Sequence, residues 1–189
     1  MSPTARMFGL AAATAVAALA WASTAGAAVT VIGGGKAKEC SLAAFNGQKG
    51  PYFENICTEA LESELMNPRD RAGTYVNRGI LKLRRREYAS AQTDFNRAIE
   101  ENPAFGEAYV NRGAASVGQK RFAEGLADIN KAIELGVDEP EKAYFNRALA
   151  FEGLDDMKAA YLDYQKALEL KPGWEMPLKE LSRFTVEQR

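Results

Sequence analysis

Apolar residues from Ala72 onward recur at intervals of three and four, which is the spacing of one face of an α-helix. The first stretch is marked by Tyr75, Gly79 and Leu83. The next stretch ends at Asn102-Pro103, because proline stops a helix and disfavours the helical conformation in the residue before it. The pattern predicts an all-α chain built from pairs of amphipathic helices.

The helix pairs form an internal repeat of about 34 residues. Three units span Ala72 to Phe105, Gly106 to Glu139 and Glu141 to Trp174. Each contains a Tyr-x-Asn-Arg-small motif, an Asp sixteen residues after the Arg, and an Ala four residues after that Asp. Such a period predicts stacked helical hairpins, an architecture that presents a surface rather than a reaction centre.

Small residues recur where the two helices of each unit are expected to face each other. They allow two antiparallel helices to approach closely. The predicted facing pairs are Gly79 with Ala91, Gly113 with Gly125, and Ala148 with Ala160.

Over residues 72–174 the chain resembles the tetratricopeptide repeat family. The resemblance rests on an aromatic fourth position, small eighth and twentieth positions, an aromatic or Ile at the twenty-fourth and Ala at the twenty-seventh. Two departures are present. The seventh position, usually Leu in the family, is Arg in all three units, and the second unit has Val137 in place of the closing proline, with Pro140 displaced to the junction.

The flanking segments are predicted to be helical as well. Residues 37–71 fit a degenerate repeat loosely, with Cys40 seventh and Cys57 twenty-fourth, and a plain helical extension explains them nearly as well. Residues 175–189 place Leu178, Leu181 and Phe184 on one side, as a capping helix requires. The expected fold is therefore a helical-hairpin solenoid with three repeats, a degenerate N-terminal helical pair and a C-terminal capping helix.

The N-terminal residues 1–27 have the features of a signal peptide. Arg6 precedes an uncharged, Ala-rich stretch from Met7 to Trp21, and Ala25-Gly26-Ala27 is a small-x-small cleavage signal. Cleavage is expected after Ala27 or, as a second choice, after Ala28. The alternative is an uncleaved membrane anchor. The Gly-rich residues 28–36 are predicted to be a flexible leader. We expect a periplasmic or secreted protein that has no stable membrane insertion after cleavage.

Cys40 and Cys57 are the two cysteines of the chain. An oxidising compartment would pair them in a disulfide that joins the N-terminal helices. Two free thiols are the alternative.

The composition disfavours enzymatic and nucleic-acid-binding functions. The chain has 24 basic and 25 acidic residues and no histidine. The near balance of charge gives no strong field for nucleic acid, and the absence of histidine removes the commonest general base and metal ligand. We expect no cofactor, no metal and no catalysis. Binding of an anionic polymer at the basic turn Arg84–Arg86 is a weaker possibility, and a solvated turn is the simpler interpretation.

The repeated Arg and Asp predict ion pairs between the two helices of each unit. A guanidinium on a partly buried helix face needs a carboxylate, and the facing helix supplies one at the same register. Arginines displayed for a ligand are the alternative. The pairs are Arg78/Asp94, Arg112/Asp128 and Arg147/Asp163.

The Asn at the sixth position of each unit is the best candidate for binding. These residues, Asn77, Asn111 and Asn146, are called the asparagine ladder below. The resemblance implies that the sixth position lines the concave surface and that some family members use such a ladder. An amide carries both a donor and an acceptor and can bind the backbone of an extended peptide. Alternatively, each Asn bonds neighbouring helix backbone.

Mostly apolar residues are expected to surround the ladder and form a trough for the peptide's side chains. They are Val76, Ile80, Val110, Phe145 and Leu149, with Lys142 at the edge of the groove. The family's carboxylate clamp for C-terminal peptides is matched at Asn111 and Lys142. Its other positions fall on Val76, Ile80 and Asn146, which makes capture of a free C-terminus doubtful.

The sequence thus predicts a non-catalytic periplasmic adaptor that presents its groove to another protein or an extended peptide. The alternative is a self-associating structural subunit of an envelope complex.

Overall fold

The computed structural model describes residues 6–7, 26–31, 35–184 and 186–187, with backbone alone for 6–7 and 186–187. Strands β1 (Arg6–Met7) and β2 (Val186–Glu187) pair antiparallel, with Arg6 opposite Glu187. The helices are α1 (Lys36–Phe45), α2 (Pro51–Ser63), α3 (Pro68–Arg84), α4 (Tyr88–Glu101), α5 (Gly106–Gly118), α6 (Phe122–Leu135), α7 (Pro140–Gly153), α8 (Met157–Leu170) and α9 (Glu175–Leu181). The predicted all-α solenoid is confirmed.

The three repeats are the hairpins α3/α4, α5/α6 and α7/α8, and each hairpin also packs on the next. The turn inside each hairpin contains a residue with positive φ at the fifteenth position of the unit. These residues are Arg86, Lys120 and Asp155, with φ of 61°, 62° and 63°. The left-handed residue ends the first helix and lets the chain reverse within a few residues.

Helix α3 begins one turn before the predicted repeat boundary at Ala72. Pro68 occupies its first turn, where the missing N–H costs no hydrogen bond. The Asn67 side chain caps the helix by accepting a hydrogen bond from the Asp70 N–H at 2.8 Å. The residues that precede the first clear repeat therefore belong to its first helix.

The helices of the middle hairpin approach closely because both facing residues are glycine. A Cβ added to Gly113 would lie 2.9 Å from the carbonyl oxygen of Gly125, and one added to Gly125 would lie 2.9 Å from that of Gly113. In the first hairpin, a Cβ on Gly79 would lie 2.4 Å from the ring of Phe95. Small residues thus set the spacing inside the hairpins, as the pattern predicts.

Helices α1 and α2 form the N-terminal pair, and the predicted disulfide between Cys40 and Cys57 joins them with a Cα–Cα distance of 4.9 Å. Both cysteines are fully buried and pack with Leu81 of α3. The pair therefore extends the solenoid at the end where the first repeat begins.

Helix α9 covers the last repeat but is shorter than the predicted cap, because it ends at Leu181. The Trp174 ring lies against the Phe145 ring, tilted by 50° with 5.1 Å between centroids, and Phe184 lies against the rings of Tyr161 and Tyr164. The terminal aromatic residues thereby cover the core that a further repeat would otherwise cover. None of the described helices is long and apolar enough to span a membrane.

Candidate functional site

The first helices of the three repeats, α3, α5 and α7, lie side by side and carry the asparagine ladder on one face. Each Asn is at most 1% exposed. The repeat places them at equivalent helical positions, so their amides project from the same side of three successive helices. A buried amide carries a large desolvation cost unless its donor and acceptor are both used.

An extended segment of the chain itself, residues 26–31, lies along this face. Val29 donates its N–H to Asn77 Oδ1 at 2.9 Å and accepts from Asn77 Nδ2 at 2.8 Å. Ala27 makes the same pair of bonds with Asn111, at 3.2 and 3.1 Å. Each amide therefore binds both main-chain polar groups of one residue, as a neighbouring β-strand would.

The third amide of the ladder differs. Neither Asn146 Oδ1 nor Nδ2 has a hydrogen-bond partner among the described residues, although both atoms are buried. Asn111 also donates to the Glu107 carbonyl oxygen at 2.7 Å, which is the alternative bond to neighbouring helix backbone. No such bond is present for Asn77 in the described part of the chain. The Asn111 amide combines both roles.

The segment runs from the third repeat towards the first. Lys142 of α7 donates to the Gly26 carbonyl oxygen at 3.2 Å and also pairs with Glu139 at 2.7 Å. At the other end, Ser41 of α1 donates to the Val29 carbonyl oxygen at 2.7 Å. The segment is thus antiparallel to the order of the repeats and also contacts the N-terminal helical pair.

The apolar residues predicted to line a trough are buried in the structure. They are Val76, Ile80, Val110, Phe145 and Leu149, each at most 1% exposed. Ala27 belongs to the apolar cluster of Val110, Phe145 and Leu149, and Val29 belongs to the cluster of Val76 and Ile80. The segment's side chains therefore complete the core on this face, and the trough is covered rather than open.

Close approach of the segment depends on Gly73 at the second position of the first repeat. A Cβ added there would lie 2.9 Å from Val29 Cγ1. The positions corresponding to Gly73 in the other two repeats hold Glu107 and Lys142. The first repeat alone has a glycine at this position, and it is where Val29 and Val31 lie against the helix.

The Gly-rich residues 28–36 are predicted from the sequence to be a flexible leader. The structure differs for residues 28–31, which are extended with Val29 and Val31 buried, and for Lys36, which begins α1. Four β-branched residues in a row, from Val29 to Ile32, favour extended backbone, whereas the glycines that follow them favour a flexible leader. Of the predicted signal peptide, the structure describes residues 6–7 and 26–27, and residues 1–5 and 8–25 lie outside the described part of the chain.

The three arginine–aspartate pairs are present, and all are bidentate. The Nε–Oδ2 and Nη2–Oδ1 distances are 3.0 and 2.7 Å for Arg78–Asp94, 2.7 and 2.7 Å for Arg112–Asp128, and 2.7 and 2.9 Å for Arg147–Asp163. The arginines join the helices of each hairpin instead of presenting their charge to a ligand.

The remaining nitrogen of each guanidinium reaches the preceding helical pair. Arg112 Nη1 donates to Asn96 Oδ1 at 2.8 Å, and Arg147 Nη1 donates to Asn130 Oδ1 at 3.0 Å. Arg78 Nη1 bonds in the same way to Thr58 of α2 at 3.0 Å. Because Thr58 takes the place that Asn96 and Asn130 take in the true repeats, the contact favours the interpretation of α1 and α2 as a degenerate repeat.

The environment of these arginines raises their pKa values above the ordinary one. Burial acts to lower the pKa of Arg78, and the hydrogen bonds and charge of Asp94 outweigh it. For Arg112 and Arg147 the hydrogen bond to the aspartate is the leading cause of the raised pKa. Each guanidinium also lies over the ring of the tyrosine three residues before it, at 5.1 to 5.5 Å. The three guanidinium groups therefore remain charged at every physiological pH.

The basic turn after α3 contacts the N-terminal pair. Arg84 donates to the Ala44 carbonyl oxygen at 2.5 Å, and Arg85 pairs with Glu54 and Glu87. Burial lowers the pKa of Arg84. Two of the three arginines predicted to form a solvated turn are thus engaged within the chain.

Structural comparison places this arrangement among known helical repeats. The described chain is similar to the tetratricopeptide repeat domain of Arabidopsis OM64, with 26% identity over 61% of this chain and 95% of that one, at a TM-score of 0.57. It is also similar to the second such domain of human RPAP3, solved in complex with the HSP70 peptide SGPTIEEVD. There the identity is 27%, over 61% of this chain and 96% of that one, at a TM-score of 0.55.

MamA from Desulfovibrio magneticus shares the fold, with 20% identity over 72% of this chain and 73% of that one and a TM-score of 0.56. A comparison with curated protein sequences gives no match. The family model described as tetratricopeptide repeat matches residues 141–173, which is the third repeat. Its repeat motif, its stacked hairpins and these likenesses confirm the resemblance to the tetratricopeptide repeat family that the sequence predicts.

Proposed function

We propose that this protein is a non-catalytic adaptor that binds an extended segment of another protein through the backbone of that segment. One observation carries the proposal: Asn77 and Asn111 each bind both main-chain polar groups of one residue in an extended strand. Because such contacts involve no side chain of the bound strand, the amides by themselves do not select its sequence. Proteins of this fold generally act as interaction scaffolds, which supports a binding function.

The proposed ligand is an internal segment rather than a chain terminus. The RPAP3 domain was solved with a short HSP70 peptide. In this chain, the positions that the family's carboxylate clamp would use include Val76 and Ile80, which are buried and apolar. A terminal carboxylate there would lose its hydration without gaining an ionic partner.

We further propose that the protein is exported to the periplasm. The basic residue, apolar stretch and small-x-small motif of residues 1–27 support this, and so does the disulfide, which persists in oxidising compartments. Cleavage after Ala27 would remove Gly26 and Ala27, so that the contacts to Asn111 and Lys142 would be lost. Val29 would remain on Asn77.

The function is tested by partner capture from periplasmic extract with the chain that begins at Ala28. The triple variant Asn77→Ala/Asn111→Ala/Asn146→Ala should capture less than the wild type. Each lost amide contact should weaken binding by about 0.5–1.5 kcal/mol, or roughly two- to tenfold. Unchanged capture by this variant, with helical content intact, would exclude the ladder as the binding surface.

A matched control is available on the opposite helices. Glu100, Glu134 and Glu169 occupy the same position in the three repeats and are exposed. Their triple replacement by Ala changes as many residues without touching the ladder, and capture should stay at the wild-type level. Capture that falls equally in both variants would indicate a general effect on folding.

Self-association is the second candidate, and one surface favours it. Leu42, Phe45 and Tyr52 of the N-terminal pair are 48–68% exposed, an uncommon exposure for large apolar side chains in one small region. A second copy could cover them. Light scattering of the mature chain distinguishes a monomer from a dimer, and Leu42→Glu should dissociate any dimer formed through this surface.

A further inference from the structure

We infer that residues 26–31 are a built-in ligand of the groove and that a partner segment binds by replacing them strand for strand. The inference rests on the proposed function and adds to it the regulation of the site and the chemistry of the ligand. The partner is an extended segment of small and β-branched residues that runs from the third repeat towards the first.

Residues 26–31 occupy the contacts that the asparagine ladder offers in the first two repeats. Ala27 and Val29 take both hydrogen-bonding groups of Asn111 and Asn77, and their side chains take the apolar positions beside them. A second strand cannot use the same amides at the same time. In the uncleaved chain, any partner that binds the first two repeats through the ladder must therefore displace this segment. After cleavage at Ala27, only the contacts of residues 28–31 would remain to be displaced.

The short connection to the fold makes the segment an effective competitor. Val31 packs on Ala37 and Ala60, so the segment is held close to the start of α1. A ligand tethered through so few residues has an effective concentration in the millimolar range. A free peptide with the same contacts should bind at least tenfold more weakly to the occupied groove than to the open one.

The bound segment defines the chemistry of the ligand. A Cβ on Gly26 would lie 3.3 Å from both Asn111 Oδ1 and Ile80 Cγ2, so only a small residue fits there. Val29 and Val31 are at most 5% exposed, whereas Thr30 is exposed. The groove therefore fits small residues over the second repeat and alternating β-branched residues over the first.

The third repeat provides a place for a longer ligand. Asn77 and Asn111 bind residues two apart, so a ligand that keeps this spacing would place a third residue at Asn146. Its buried amide has no hydrogen-bond partner among the described residues, so a ligand residue at that step would satisfy both of its atoms.

The test frees the groove without shortening the chain. Ala27→Pro/Val29→Pro removes the two N–H groups that donate to the ladder. The matched control is Ala28→Pro/Thr30→Pro, because neither of those N–H groups bonds to the ladder. The probe is a fluorescein-labelled, end-capped peptide of sequence Gly-Ala-Ala-Val-Thr-Val, and its binding to the full 189-residue chain is measured by fluorescence anisotropy.

We expect Ala27→Pro/Val29→Pro to bind the probe at least tenfold more tightly than the wild type or the control. Adding Asn77→Ala and Asn111→Ala to it should remove that gain. Equal binding by all three chains overturns the inference and leaves the proposed backbone-binding function standing. If none of the three binds the probe while amide exchange shows the segment released in the proline variant, the proposed function is overturned, and the inference with it.

Discussion

Asn77 binds Val29 through both main-chain polar groups, with the Val29 N–H on Oδ1 at 2.9 Å and the Val29 carbonyl oxygen on Nδ2 at 2.8 Å. The two residues are 48 positions apart in the chain. A single side chain on a helix thereby substitutes for the edge of a β-sheet. Because Asn111 repeats the arrangement with Ala27, an extended strand can be held by helices that contribute no backbone hydrogen bonds to it.

This arrangement predicts alternating amide exchange in the segment. The Val29 N–H is bonded and buried and should exchange slowly, whereas Thr30 is exposed and should exchange fast. Asn77→Ala should accelerate amide exchange at Val29 more than at Ala27, and Asn111→Ala should accelerate it more at Ala27 than at Val29. Site-resolved exchange by NMR measures both effects, and equal rates at positions 29 and 30 would contradict the bound strand.

The ion pairs predict a graded series of stability losses. The carboxylate side chains of Asp94, Asp163 and Asp128 are 2%, 9% and 18% exposed. Removing a carboxylate leaves its arginine without its ionic partner, and in the first hairpin it also removes the Lys82–Asp94 pair at 2.9 Å. The cost therefore grows with burial and with the number of cations that the carboxylate holds. Asp94→Ala should cost about 3 kcal/mol of unfolding free energy and Asp128→Ala about 1 kcal/mol. Urea denaturation measures the series. A larger loss of unfolding free energy for Asp128→Ala than for Asp94→Ala would show that burial does not determine the loss.

The disulfide predicts a redox-dependent stability. Cys40 and Cys57 are 17 positions apart, and closing a loop of that size stabilises by about 3 kcal/mol in the chain-entropy model. Reductant should lower the melting temperature of the wild type. The double variant Cys40→Ala/Cys57→Ala is the control and should melt at the same temperature with and without reductant. If reductant leaves the melting temperature of the wild type unchanged, the disulfide does not contribute to its stability.

Glu180 predicts a pH dependence near the C-terminal cap. Burial raises the pKa of Glu180 above its ordinary value, although Arg183 lies 2.6 Å away and acts in the opposite direction. A raised pKa in the folded state means that the folded chain retains its proton longer than the unfolded chain. The contribution of Glu180 to the free energy of unfolding is therefore fully present below the ordinary pKa of 4.5, and it is lost as the pH rises through the pKa of the folded state.

The variant Glu180→Gln removes that titration. Its stability relative to the wild type should improve between pH 4 and pH 7, as measured by thermal unfolding at both values. Glu175→Gln makes the same exchange at an exposed position of the same helix and is the control, with a smaller expected effect. A relative stability of Glu180→Gln that is constant with pH would show that the carboxyl is not desolvated.

The repeated sequence determined the helical hairpins, their number and their internal pairing. Helical periodicity, turn residues and the Arg–Asp register are local or separated by a constant sixteen residues, so the pattern alone specifies which helices meet. The same reasoning placed Cys40 opposite Cys57, because the degenerate repeat keeps the spacing of the others.

Tertiary structure decided what occupies the ladder. The contacts of Ala27 and Val29 span 84 and 48 residues, and the segment has no helical period or repeat that would indicate its partner. The third bond of each arginine likewise joins neighbouring units and cannot be read from one unit alone. The sequence specified a row of buried amides. Only the folded chain shows which backbone segment forms hydrogen bonds with two of them, because those bonds require three helices and one distant strand to meet in space.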